Sequence, residues 1–266
     1  MSSARTYKVP GGLLNVNFGG FVPLSTVDWR GRSVCTVFLR GCPVHCHYCH
    51  NLELKTGSDP RSIEEVLDLI HSSRMLISGV IFSGGEPTMQ KDALVALAKG
   101  CRAMGLKVGV QTNGVFPDTL EALLDESLLD LVHMDIKTRW EHYPKLLKVK
   151  PEVTAKVQRS LALCTAAHKT GALPEFQVVV TLFPGREDDV AYISREAPDV
   201  DFVLNQGVSG DLTPLSFNEL KSIADKIQRP VRIRTRDDGE VTYKNGQIII
   251  ADSIVLTDIL QARRNY

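Results

Sequence analysis

Apolar residues along the chain alternate between two rhythms. Runs at residues 34–39, 79–82 and 107–111 are short and β-prone, and each is closed by glycine or polar residues, as a buried parallel strand would be. Between them Ile63, Val66, Leu67 and Ile70 recur at helical spacing behind Ser62 and Glu65, which form a capping box. Residues 89–104, 117–124, 153–170 and 188–196 continue the helical pattern, and 129–134, 175–181 and 201–204 the strand pattern. Strand and helix thus alternate six times, which predicts an α/β fold with a parallel sheet, arranged as a partial (β/α)6 barrel. Residues 11–33, rich in glycine, read as extended segments and turns. Beyond a helix at 217–227 the pattern predicts an appendage: a β-prone run at 231–236, a hairpin turning on Asn245-Gly246 and a last helix at 253–263. One domain accounts for residues 1–266, with its core at about 20–229 and the appendage at about 230–266.

Barrel enzymes place their chemistry at the C-terminal ends of the strands. The chain's unusual polar residues fall there, one group per strand: a cysteine loop after the first, Gly84-Gly85-Glu86 after the second and Gln111-Thr112-Asn113 after the third. Asp135 and Lys137 follow the fourth strand, Thr181 the fifth and Asn205-Gln206-Gly207 the sixth. That coincidence predicts a single active site on one rim.

Charge changes the picture by exclusion. Lys plus Arg and Asp plus Glu both number 31, so no global field would draw in nucleic acid or an anionic membrane. No run approaches an uninterrupted membrane span, and residues 1–10 lack the apolar centre of a secretory signal, so a cytoplasmic location is expected. Three of the six cysteines, Cys35, Cys101 and Cys164, are scattered through apolar or helical stretches, which fits buried free thiols in a reducing compartment.

The other three stand at Cys42, Cys46 and Cys49, a C-x3-C-x2-C spacing within eight residues. Three thiolates can hold three irons of a cubane and leave the fourth iron open for chemistry. Zinc is the other reading, with His45, His47 or His50 as a fourth ligand. Structural zinc usually draws two ligand pairs from separated segments, and a second pair is missing here, so the crowding favours an iron–sulfur cluster.

With Tyr48 before the last cysteine, the loop resembles the signature of the radical S-adenosylmethionine enzymes, and Ser83-Gly84-Gly85-Glu86-Pro87 resembles their second motif. Ser25-Thr26-Val27-Asp28-Trp29-Arg30-Gly31, the Cys49-His50-Asn51 end of the loop and Met134-Asp135-Ile136-Lys137 are similar to the glycyl-radical-enzyme activating subfamily. Within it the branch acting on anaerobic ribonucleoside-triphosphate reductase is the most alike. The match covers residues 20–236.

The resemblance implies one 4Fe-4S cluster on Cys42, Cys46 and Cys49. It also implies reductive cleavage of S-adenosylmethionine to a 5′-deoxyadenosyl radical, and hydrogen abstraction from a glycine of a partner enzyme. S-adenosylmethionine contacts are expected from Tyr48, Cys49, His50, Gly84, Gly85, Glu86, Asn113, Asp135, Ile136, Lys137 and Gln206. Glu86 would pair with the ammonium group, and Gln206 would stand where some members carry a histidine. Lys137 would also steer the partner's loop. No cysteine lies between Cys49 and Gly84, so an external flavodoxin or ferredoxin is implied as reductant. A radical enzyme of the same superfamily acting on a small molecule or RNA is the alternative.

Overall fold

The computed structural model describes residues 14–46, 48–210 and 212–249. They belong to two compact units, residues 1–178 and 179–266. In the first, strands β1 (Asn15–Ser25), β2 (Val34–Leu39), β3 (Pro60–Ser62), β4 (Gly79–Gly84), β5 (Lys107–Thr112) and β6 (Leu131–Asp135) lie side by side in the order β3-β1-β2-β4-β5-β6. The pairs β2/β4, β4/β5 and β5/β6 are parallel. Helices α1 (Ile63–Ser73), α2 (Lys91–Ala103), α3 (Pro117–Asp125), α4 (Tyr143–Leu147) and α5 (Glu152–Lys169) fill the connections. Strand β7 (Glu175–Leu182) begins in this unit and ends in the next.

The central strands are apolar because they are covered: Val34, Val37, Leu39, Val80, Ile81 and Phe82 are fully buried. Helix α1 starts where the sequence predicts, with Ser62 and Glu65 exchanging both capping-box bonds. Trp29 fills the N-terminal end of this sheet. It is buried in one cluster with Val34, Ile81 and Leu131, and its indole N–H donates to both carboxylate oxygens of Glu175 at 3.0 and 3.1 Å. Gly109 is small because a Cβ there would stand 2.5 Å from Ile81 and 3.1 Å from the Trp29 ring.

Two first-unit elements go beyond expectation. Within the extended segments and turns expected at residues 11–33, residues 15–25 form one long strand, antiparallel to β2 and β3. Its pairing with β2 is broken by irregularities between Phe18 and Gly20 and between Val22 and Ser25, which scramble the alternation that would announce a strand. Helix α4 was not visible as a separate element at all.

The second unit contains helix α6 (Glu187–Glu196), β8 (Asp201–Gln206), α7 (Phe217–Ala224), β9 (Val231–Arg234), β10 (Glu240–Lys244) and β11 (Gln247–Ile249). Strand β9 runs parallel to β8 and antiparallel to β10. Arg232 and Arg234 therefore do not lie on a solvated edge. Arg232 is buried, and Glu240 across the ladder meets Arg232 and Arg234 at 2.6 Å each. The Asn245-Gly246 turn joins β10 to β11 with both residues at positive φ, the two-residue hairpin expected. The last predicted helix lies outside the described residues. Among the described residues no helix is long and apolar enough to cross a membrane.

Candidate active site

The cysteine loop leaves the end of β2 and is tied down from several sides. Gly85 N–H donates to Leu39 O and Glu86 N–H to Gly41 O, both at 2.8 Å, so the chain after β4 is laced to the chain after β2. Asn51 Nδ2 donates to Gly84 O at 3.1 Å, and His45 N–H to Leu147 O at 3.0 Å at the end of α4. The lacing explains the glycine pair. A Cβ on Gly84 would stand 2.4 Å from Leu39 O, one on Gly85 2.3 Å from Gly41 O, and Gly84 has a φ of +116°. Gly85→Ala is accordingly expected to destabilise the protein by about 1–3 kcal/mol as the two segments are forced apart. A urea titration would read this as a lowered midpoint.

Cys42, Cys46 and Cys49 are free and partly exposed on this loop, whereas Cys35, Cys101 and Cys164 are wholly buried, as expected. Burial pushes the Cys42 thiol up to about 11, against a backbone hydrogen bond from Val44, with Glu86, Cys46 and Cys49 adding to the rise. Cys46 is raised by burial too, and there the Lys137 charge pulls the other way. His45 Nδ1 lies 3.1 Å from Lys55 Nζ, His50 is exposed, and His47 is outside the described residues.

Glu86 is 1% exposed, and its carboxylate is turned into its own chain. Oε1 accepts from Thr88 N–H at 3.0 Å, from Thr112 Oγ1 at 2.7 Å and from Thr88 Oγ1; Oε2 accepts from Asn113 N–H at 2.7 Å. Burial raises its pKa while these four bonds hold it down. In this structure the carboxylate joins the end of β4 to the end of β5. Thr88 could have been suspected, since Glu86 caps the short turn at Pro87–Met89. Thr112 carries no such local signal.

At the end of β6, Lys137 Nζ meets Asp135 Oδ2 at 3.0 Å and lies 5.9 Å from the centre of the Tyr48 ring. Lys137 N–H donates to the buried Tyr143 hydroxyl at 3.0 Å. Burial would lower the Lys137 pKa, but Asp135, Tyr48 and Cys46 outweigh it and the ammonium is held. Ile136 between them is fully buried. Cysteine loop, glycine pair, Asn113 and the Asp135/Lys137 pair thus gather at one end of the first unit. Gln206 belongs to the second unit, where its amide is engaged: Nε2 donates to Leu215 O at 2.8 Å and Oε1 accepts from Arg236 N–H at 3.2 Å.

Three clustered thiols, a positive charge kept beside them and glycine-lined backbone suit a cluster and an amino-acid-bearing ligand. Residues 36–194 match the Radical SAM superfamily, and the chain belongs to that family. It is a radical S-adenosylmethionine enzyme that works with a 4Fe-4S cluster and S-adenosylmethionine. A Methanocaldococcus jannaschii protein, named as a candidate glycyl-radical enzyme activating enzyme, is 31% identical over 85% of this chain and 91% of its own length. The pyruvate formate-lyase-activating enzyme of Clostridium pasteurianum is 33% identical over 42% of this chain and 50% of its own. Among solved structures, TYW1 with a lysine-pyruvate adduct superposes with a TM-score of 0.60 at 16% identity, covering 80% of each chain. Streptococcus suis SuiB bound to S-adenosylmethionine gives 0.57 at 14%, covering 73% of this chain and 48% of SuiB. These likenesses establish the fold as the partial barrel that the strand and helix rhythm predicts.

Proposed function

We propose that the protein installs a glycyl radical on a partner enzyme, an anaerobic ribonucleoside-triphosphate reductase, drawing its electron from a flavodoxin or ferredoxin. The observation that carries the reading is the near full-length likeness to the Methanocaldococcus jannaschii protein, whose name assigns it to this class. Cys42, Cys46 and Cys49 would hold the cluster, which supplies the electron that cleaves S-adenosylmethionine to methionine and the 5′-deoxyadenosyl radical. The Gly84-Gly85 backbone would take the methionine end, with Glu86 holding that segment in place. Tyr48, His50 and the Asp135-Ile136-Lys137 segment would line the approach.

Lys137 would act on the partner as well. A glycine inside a folded enzyme reaches the radical only as an extended loop, and a fixed ammonium at the rim can hold a loop carbonyl. Lys137→Ala is therefore expected to depress glycyl-radical formation by up to about a hundredfold, while uncoupled S-adenosylmethionine cleavage falls much less. Parallel loss of both would make Lys137 a cofactor contact alone.

The deciding experiment mixes the reduced protein with S-adenosylmethionine and the reductase under anaerobic conditions. A glycyl-radical doublet in the electron paramagnetic resonance spectrum is expected. Cleavage without a doublet would instead favour a small molecule or RNA as substrate. A specific observation supports that second reading: the 7-carboxy-7-deazaguanine synthase of Hyperthermus butylicus is 34% identical over 39% of this chain and 41% of its own.

A further inference from the structure

We infer that Asn113 tunes the cluster: its side-chain amide donates a hydrogen bond to the sulfur of Cys42 and sets how readily the cluster takes up an electron. The inference rests on the reading that Cys42 is a cluster ligand. It gives Asn113 a role different from the ligand contact that the family resemblance suggests.

The geometry fixes which end of the amide faces the sulfur. Asn113 Oδ1 accepts from Val115 N–H at 3.1 Å, closing a turn of the kind asparagine makes with the backbone two residues on. Oδ1 is thereby oriented by a donor that cannot be reversed, so Nδ2 is the atom 3.7 Å from Cys42 Sγ. The residue is 7% exposed, and its backbone cannot drift. Its N–H is held by Glu86 Oε2, the neighbouring Gly114 N–H donates to Thr112 Oγ1 at 3.0 Å, and Gly114 O accepts from Ser160 Oγ at 2.6 Å. A donor fixed this firmly is preorganised, and it has no other described acceptor.

The chemistry follows from charge. A cysteine bound to iron is a thiolate, a better acceptor than the thiol, and hydrogen bonds to a charged partner are about twice as strong as neutral ones. Reduction adds one electron and makes the sulfurs more negative, so the N–H stabilises the reduced state more than the oxidised state. Hydrogen bonds to the sulfurs are among the controls on iron–sulfur potentials. Without this donor the cluster should be harder to reduce.

The test is a redox titration of reconstituted protein with dithionite, followed by electron paramagnetic resonance and without S-adenosylmethionine or partner. Asn113→Ser keeps an oxygen that can cap Val115 N–H but is too short to reach the sulfur. It should shift the one-electron equilibrium about tenfold against reduction, which is 59 mV more negative. Asn113→Ala should shift it in the same direction. A purely structural role predicts the opposite sign, because a loosened loop admits water and water favours the more negative, reduced state. A potential that is unchanged or raised in Asn113→Ser overturns the inference. So does an unchanged potential with weakened S-adenosylmethionine binding, which would return Asn113 to a cofactor contact. Neither readout involves the glycyl-radical partner, so the outcome stands apart from the fate of the proposed function.

Discussion

Alanine at any one of Cys42, Cys46 or Cys49 is expected to abolish cluster binding and, with it, all cleavage of S-adenosylmethionine. The effect should be all-or-none because a three-thiolate cubane site has no spare ligand: two thiolates leave two irons unheld. The other three cysteines are buried within the fold and cannot substitute. Alanine at Cys35, Cys101 or Cys164 should leave iron content at about four per chain, the content of one such cluster, with a modest stability cost for each lost sulfur. Iron and sulfide analysis of anaerobically reconstituted variants checks both halves. Cluster loss in a folded Cys35→Ala, Cys101→Ala or Cys164→Ala protein would overturn the assignment.

Glu86→Ala is expected to be the most damaging single substitution away from the cysteines, and to act through stability before it acts on any ligand. Four donors converge on that carboxylate, two of them backbone N–H groups that cannot turn elsewhere. Each buried donor left unsatisfied costs about 1–3 kcal/mol, and partial relaxation would leave a total of about 3–5 kcal/mol. That is a large share of the stability of an ordinary domain. Glu86→Gln should cost less, because its carbonyl can keep the Oε1 bonds while its NH2 confronts Asn113 N–H. Denaturant unfolding of apo and reconstituted protein measures both. An apo Glu86→Ala protein as stable as wild type would disprove the structural role.

The order of the barrel was legible in the sequence because it depends on local signals. Ser62 and Glu65 announce α1, the covered strands are near-continuous apolar runs, and the polar groups fall after them by topology alone. What stayed hidden depends on pairing across the chain. Glu86 next to a glycine pair reads like a ligand residue, and only the fold brings Thr112 and Asn113 to its oxygens. The β-prone run at 231–236 likewise gives no sign that Glu240, across the ladder, neutralises both Arg232 and Arg234. Strand β1 read only as extended segments and turns because its irregular pairing with β2 breaks the period of two on which strand recognition rests. Sequence spacing foresaw that polar groups follow the strands, then, but not which partners within the chain their atoms take.

The bond between Trp29 and Glu175 spans 146 residues, whereas two contacts that seat the cysteine loop span far fewer, Asn51 to Gly84 at 33 and Cys42 to Asn113 at 71, and the His45 bond to Leu147 O is also complete before Glu175 is made. On a ribosome adding about 5–20 residues per second, the indole waits roughly 7–30 s for its carboxylate after it has itself been made. The strands that carry the glycine pair and Asn113 emerge well before that. During synthesis the cysteine-loop end of the first unit can therefore be assembled while the opposite end is still open, and Trp29 seals that end last.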